Sequence, residues 1–86
     1  MQLIFSSRAW EDYVYWQKTD KAVLKRINAL IAEVKRTPFE GTGKPERLRH
    51  GLCGYWSRRI TGEHRIVYKA LDDAILIAQL RYHYEP

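Results

Sequence analysis

Cysteine is nearly missing from this chain. Cys53 stands alone, so no intrachain disulfide can form and no pair of thiols can hold a metal, a usage that fits a reducing cytosol. Long apolar runs are missing too. No stretch approaches the roughly 18 residues of a membrane span, and the N-terminal MQLIFSSRAW lacks the basic region and apolar run of a secretory leader. A soluble, cytoplasmic, unprocessed protein is expected. Proline and glycine are scarce outside one region: two of the three prolines and four of the five glycines fall within residues 38–54. Carboxylates are outnumbered, 10 Asp plus Glu against 15 Lys plus Arg, for a net charge of +5. That excess favours anionic partners such as nucleic acid, although charge by itself does not separate nucleic-acid binders from other small basic domains.

What is present bounds the architecture. A chain of 86 residues, 45% apolar and carrying three Trp, six Tyr and two Phe, has room for one domain with one modest core between two layers. Residues 55–84 read as three consecutive antiparallel strands, YWSRRI, HRIVYKA and AILIAQLRYHY, joined by turns at Thr61-Gly62-Glu63 and Leu71-Asp72-Asp73. Strand side chains alternate faces with period two. Even positions collect Trp56, Ile60, Ile66, Tyr68, Leu76, Ala78, Leu80 and Tyr82, a core face on which Arg58 and His64 are exceptions. Odd positions collect Ser57, Arg59, Arg65, Lys69, Gln79, Arg81 and His83 among Tyr55, Val67, Ile75 and Ile77. No carboxylate lies on that second face. Like charges across strands repel, so the uncompensated arginines point to a polyanion, with phosphate the natural candidate.

Upstream, Leu3-Ile4-Phe5 suits a strand, and Ser6-Ser7 suits the cap of a helix running to about Lys18, with Glu11 and Asp12 in its first turn where the dipole favours anions. Thr19-Asp20 signals a second cap. From there Val23, Leu24, Ile27, Leu30, Ile31 and Val34 form one apolar stripe, closed by Lys35-Arg36 and stopped by Pro38. The two helices should form a hairpin on the even face. Residues 38–54 form a long loop, with a helical turn or short strand near Leu48, and loops of that length in compact domains are usually functional or disordered.

Three stretches now read together: TPFEGTGKPERLRH (37–50), GYWSRRITGEHRIVY (54–68) and LRYHY (80–84). With the helix segments between Ala9 and Lys21 they resemble the YoeB/Txe toxins of bacterial toxin–antitoxin pairs, within the RelE-like superfamily. The resemblance implies an α+β, microbial RNase-like fold of two helices on one face of a twisted, mainly antiparallel sheet. It also implies ribosome-dependent cleavage of mRNA in the A site without metal or other cofactor, neutralisation by a YefM-like antitoxin, and a homodimer as one state of the free toxin. Carried over residue by residue, Glu46 would be the general base, His83 the general acid and Arg65 the transition-state stabiliser. Arg49, Arg59, Tyr84, Lys44 and Arg81 would position the RNA. Arg49 stands where many members have Lys, and Glu85-Pro86 extends past the tyrosine at which members end.

Those residue types suit the chemistry. Metal-free RNA cleavage needs a base for the 2′-OH proton, an acid for the leaving 5′ oxygen and cations for the charge developing on the phosphate. The expected products carry a 2′,3′-cyclic phosphate and a 5′-OH. Taken singly, each residue has a plainer reading. Glu46 after Pro45 is a solvated loop acid, His83 an exposed terminal histidine, and Arg59 and Arg65 surface residues within reach of Glu63, Asp72 or Asp73. Trp10, Trp16, Trp56 and Tyr82 read as core, Tyr84 as a stacking platform or packed rim residue. His50 and His64 read as exposed or hydrogen-bonded, Cys53 as a small buried hydrophobe. The rival of a different class is a basic binding module acting by occupancy, as gyrase-inhibiting toxins of the same superfold do.

Overall fold

Two helical caps and one sheet register determine how the chain is laid out in the computed structural model, which describes residues 1–83 apart from the His50 side chain. Strand β1 (Gln2–Phe5) passes directly into α1 (Ser7–Thr19). Ser6 caps α1: its Oγ accepts from the Ala9 amide at 3.0 Å and donates to the Ala78 carbonyl at 2.9 Å, tying the helix start to the sheet. Because the helix begins at Ser7, Glu11 and Asp12 fall beyond the first turn expected for them. Asp12 instead is buried, and its Oδ2 accepts from the Leu80 amide at 3.0 Å. Asp20 caps α2 (Lys21–Arg36) through bonds from the Ala22 and Val23 amides, and Ile27, Leu30, Ile31 and Val34 are buried as the stripe requires. Thr37 closes α2 on the Glu33 carbonyl, and Pro38 follows.

The remaining strands are β2 (Glu46–Arg47), β3 (Tyr55–Arg59), β4 (Arg65–Leu71) and β5 (Ala74–Gln79), with a 3-10 turn at His50–Leu52. They form one five-stranded sheet in the order β1-β5-β4-β3-β2, in which β1 runs parallel to β5 and the other pairs are antiparallel. This is the expected α+β arrangement. The core joins Ala9, Trp16, Ile27, Leu30, Ile31 and Val34 of the helices to Ile60, Ile66, Tyr68, Ile75, Ile77 and Leu80 of the sheet side.

That core corrects the parity reading in β5. Val67 pairs with Gln79 but Tyr68 pairs with Ile77, which leaves Ala78 as an extra residue, a β-bulge. A shift of one residue flips every side chain. Ile75 and Ile77, expected on the cationic face, are therefore fully buried against the helices, whereas Leu76 and Ala78 are only half-buried and lie outside that core. Past the bulge the even residue Leu80 returns to the core.

The strand also stops at Gln79 and does not run on to residue 84. Leu80 gives both backbone groups to α1: its amide to Asp12 and its carbonyl to Trp16 Nε1 at 2.8 Å. Tyr82 then adopts φ +62° and is 49% exposed, so it is not a core residue. Two further expectations fail. Trp10 is 54% exposed, stacked on Tyr13 at 5.8 Å with its edge neighbour Phe5, because these aromatics shield it beside β1 and the core does not. Cys53 is exposed. Among the described residues no helix is long and apolar enough to cross a membrane.

Candidate functional site

The site begins with the loop that delivers Glu46. Arg58, the cation on the core face of β3, is fully buried and acts as its anchor. Its Nε donates to Tyr68 Oη at 3.0 Å, Nη1 to Glu33 Oε1 at 3.0 Å and the Thr42 carbonyl at 3.3 Å, and Nη2 to the carbonyls of Thr37 and Glu40. Tyr68 Oη in turn donates to the Pro38 carbonyl at 2.6 Å. One guanidinium thus staples the end of α2 and residues 37–42 to the sheet. The Thr42 amide, ahead of the Arg58 cation, holds the Glu33 carboxyl below its ordinary value, while burial pushes the Tyr68 phenol up against the opposing pull of Arg58. Gly43 (φ +87°) lies flat on β3, its carbonyl accepting from the Arg59 amide at 2.7 Å. A Cβ there would meet the Arg59 carbonyl oxygen at 3.1 Å. Lys44 follows with φ +54°, and the chain enters β2 at Glu46.

Glu46 pairs with Ser57, Ser57 with Val67, and Val67 with Gln79. Directly opposed residues share a face, so these four form a row across β2, β3, β4 and β5 on the side away from the helices. The next row holds Arg59 opposite Arg65. Among the described residues no carboxylate lies within ion-pairing distance of Arg59, Arg65 or Arg49; Glu63 pairs with His64 and Asp73 with the N-terminus. Two like charges face each other with no counter-charge among the described residues. Arg65 is held back along its hairpin, Nη1 donating to the carbonyls of Thr61 (3.0 Å), Gly62 (3.4 Å) and His64 (3.2 Å). Arg59 is exposed. Arg49 is exposed as well, and with Pro45, Glu46, Arg47, Leu48 and Cys53 it lines an open depression of about 900 Å³ beside the row.

The C-terminal segment closes the other end. Tyr82 donates its amide to His64 Nδ1 at 2.8 Å and accepts from the Arg65 amide at 3.0 Å. His64 is itself fixed edge-on to Trp16 and bonded to Glu63, so it is a structural residue of the turn. Beyond Tyr82, buried Gln79 reaches the carbonyls of Arg81 (2.7 Å) and His83 (2.8 Å), holding the backbone of exposed His83 at the β5 end of the row that carries Glu46. Lys44 and Tyr82 are the non-glycine residues with positive φ among the described residues. One stands two residues before Glu46 and the other directly before His83, and strain of this kind clusters at functional sites.

Of the residues singled out in the sequence, Glu46, Arg59 and Arg65 share this face, Arg49 lines the depression beside Glu46, and His83 is held by its carbonyl at the β5 end. Lys44 is exposed at the edge of the face. Arg81 does not join them: its guanidinium stacks 3.6 Å over the Tyr15 ring of α1 and bonds Tyr82 Oη, because the strand has already ended. Tyr84 and Glu85-Pro86 lie outside the described residues. Among those described, no group of three His, Cys, Asp or Glu side chains is arranged to hold a metal ion. Sequence reasoning passed over Gln79 as one polar residue among several, and over Arg58 as an exception to a pattern; a lone arginine on an apolar strand face, with Glu33 on the inner side of α2, is the signal that could have found the staple.

A family profile described as a YoeB-like toxin of bacterial type II toxin–antitoxin systems matches residues 5–84. The chain is 62% identical over 84 residues to the toxin YoeB of Escherichia coli K12, covering 98% of this chain and all of that protein. A YoeB dimer from Staphylococcus aureus superposes with a TM-score of 0.91 at 48% identity, with 98% of each chain covered. The toxin chain of a heterotetrameric YoeB–YefM toxin–antitoxin complex from the same organism gives 0.90 at 48%, again over 98% of each chain. Read with the fold and the open face of its sheet, these likenesses establish that the chain belongs to the YoeB-like toxins of bacterial type II toxin–antitoxin systems.

Proposed function

We propose that this toxin is a ribosome-dependent endoribonuclease that cuts mRNA in the A site, acts in the bacterial cytoplasm and is held inactive by a YefM-like antitoxin. The observation that carries the reading is an Arg59/Arg65 pair, without a counter-charge among the described residues, between Glu46 on β2 and the tethered backbone of His83 beyond β5. Strands in a sheet are about 4.8 Å apart, so β2 and β5 stand roughly 14 Å from each other, and side chains leaning inward from both ends flank a phosphate held over β3 and β4.

Glu46 takes the proton of the 2′-OH as the 2′ oxygen attacks phosphorus. The bond from phosphorus to the 5′ oxygen breaks, and His83 delivers a proton to that oxygen. The products carry a 2′,3′-cyclic phosphate and a 5′-OH. Arg65, braced by three turn carbonyls, offers its remaining donors to the phosphate oxygens as charge builds, and Arg59 and Arg49 hold the backbone. Lys44 adds charge at the rim, and Tyr84 supplies a stacking surface. Acid and base each contribute roughly 100- to 10,000-fold. The YefM complex of the S. aureus relative supports the antitoxin, and its YoeB dimer supports self-association. A cell-free translation reaction with mRNA ends mapped by primer extension tests the proposal. Discrete cuts at ribosome-occupied codons are expected, lost in Glu46→Ala and His83→Gln. Arrest without cuts would mean that the toxin works by occupancy.

A further inference from the structure

Residues 80–82 are each fixed from outside their own segment. Leu80 is bonded by Asp12 and Trp16, Arg81 is stacked on Tyr15, and Tyr82 is bonded by His64 and by the Arg65 amide. None of these reaches residue 83. Among the described residues, the hydrogen bond that does comes from Gln79, whose side chain is buried on the open side of β5, in the same row as Glu46.

We propose that Gln79 is a positioning residue: its carboxamide gathers the backbone of residues 81–83 and thereby sets the His83 imidazole over the phosphate site. Nε2 has two hydrogens, and its two short contacts are to the carbonyls of Arg81 (2.7 Å) and His83 (2.8 Å), with Tyr82 a longer third at 3.4 Å. The orientation is forced. Turning the amide over would set Oε1 against three carbonyl oxygens, so only the donor end fits. A buried amide that spends both hydrogens on i+2 and i+4 carbonyls pulls the chain back on itself directly after the bulge at Ala78. Without that pull, no hydrogen bond among the described residues holds the His83 backbone. The register shift that displaced Ile75 and Ile77 into the core is also what turns Gln79 to the open face.

The inference rests on the nuclease reading, and the test separates the two. Gln79→Met keeps length and volume and loses both donors. In the translation assay, wild type, Gln79→Met and His83→Gln are compared in single turnover on an ordinary message and on one with a 5′-bridging sulfur at the cut linkage, a leaving group that needs no acid. On the ordinary message, Gln79→Met is expected to cut about 100-fold more slowly, the order of loss for a misplaced catalytic group. On the sulfur message the defect should nearly vanish, as for His83→Gln. An equal defect on both messages, or none on either, overturns the assignment. If wild type cuts neither message, the nuclease reading falls, and nitrogen-15 relaxation of the free toxin still decides the tether. Order parameters at residues 82 and 83 should drop below about 0.6 in Gln79→Met with the sheet unchanged; unchanged values there overturn it.

Discussion

Adjacent arginines on β3 should behave in opposite ways. Arg58→Met retains the aliphatic stem and removes five donated hydrogen bonds and the ion pair to Glu33. Removing one partner of a buried pair costs about 3–5 kcal/mol. Glu33 keeps 21% of its side chain exposed, and the carbonyls of residues 37–42 can regain water once the loop lifts. The lower end, about 3 kcal/mol, therefore applies. In a domain of this size that lowers Tm by roughly 12–24 °C. Arg59→Met removes an exposed charge that faces Arg65, and should change stability by less than about 0.5 kcal/mol. Urea and thermal unfolding followed by circular dichroism read both. A loss under about 1 kcal/mol in Arg58→Met, or equal losses in the two variants, would refute the division into staple and phosphate ligand.

Other perturbations follow from the same contacts. Glu33 has a folded pKa below its ordinary 4.5, so its stabilisation is complete above that value and disappears as pH falls through the folded pKa; Glu33→Gln should flatten the decline of the urea midpoint below about pH 4.5, and an unchanged slope would contradict it. Asp12→Ala strands the buried Leu80 amide and should cost about 1–3 kcal/mol in urea unfolding; a neutral result would mean that β5 is not ended from α1. Arg65→Ala should slow cleavage about 100- to 1,000-fold while moving the urea midpoint little, and full activity would remove Arg65 from the transition state.

Where the sequence carried a local chemical instruction, it could be read. Ser6 and Asp20 cap because short oxygens before apolar stripes have amides to satisfy, and the turns at residues 61–63 and 71–73 announce hairpins. That Arg59 and Arg65 share a face followed from parity in β3 and β4, where polar and apolar positions alternate; that they stand directly opposite each other is set by the register. Parity failed in β5 because Ile75, Leu76, Ile77 and Ala78 are all apolar, so no alternation marks which face is inside and a bulge leaves no trace in the pattern. The end of β5 was invisible for a different reason. No glycine or proline interrupts residues 74–84; Asp12 and Trp16, more than 60 positions away, take the Leu80 backbone out of the ladder. Arg58 depends on partners 10 to 25 positions away on other elements, and Gln79 on a reversal of the chain that exists only because the strand has ended; spacing reveals neither.

The central claim is that the attacking group is the 2′ oxygen of the message itself. It is tested most directly with an mRNA carrying a single 2′-deoxy nucleotide on the 5′ side of the linkage cut in wild-type message, translated with the purified toxin. The account predicts that this linkage stays intact while the all-ribose control is cut to a 2′,3′-cyclic phosphate end. Cleavage of the deoxy linkage at the control rate would contradict it, because Glu46 would then have no 2′ proton to take.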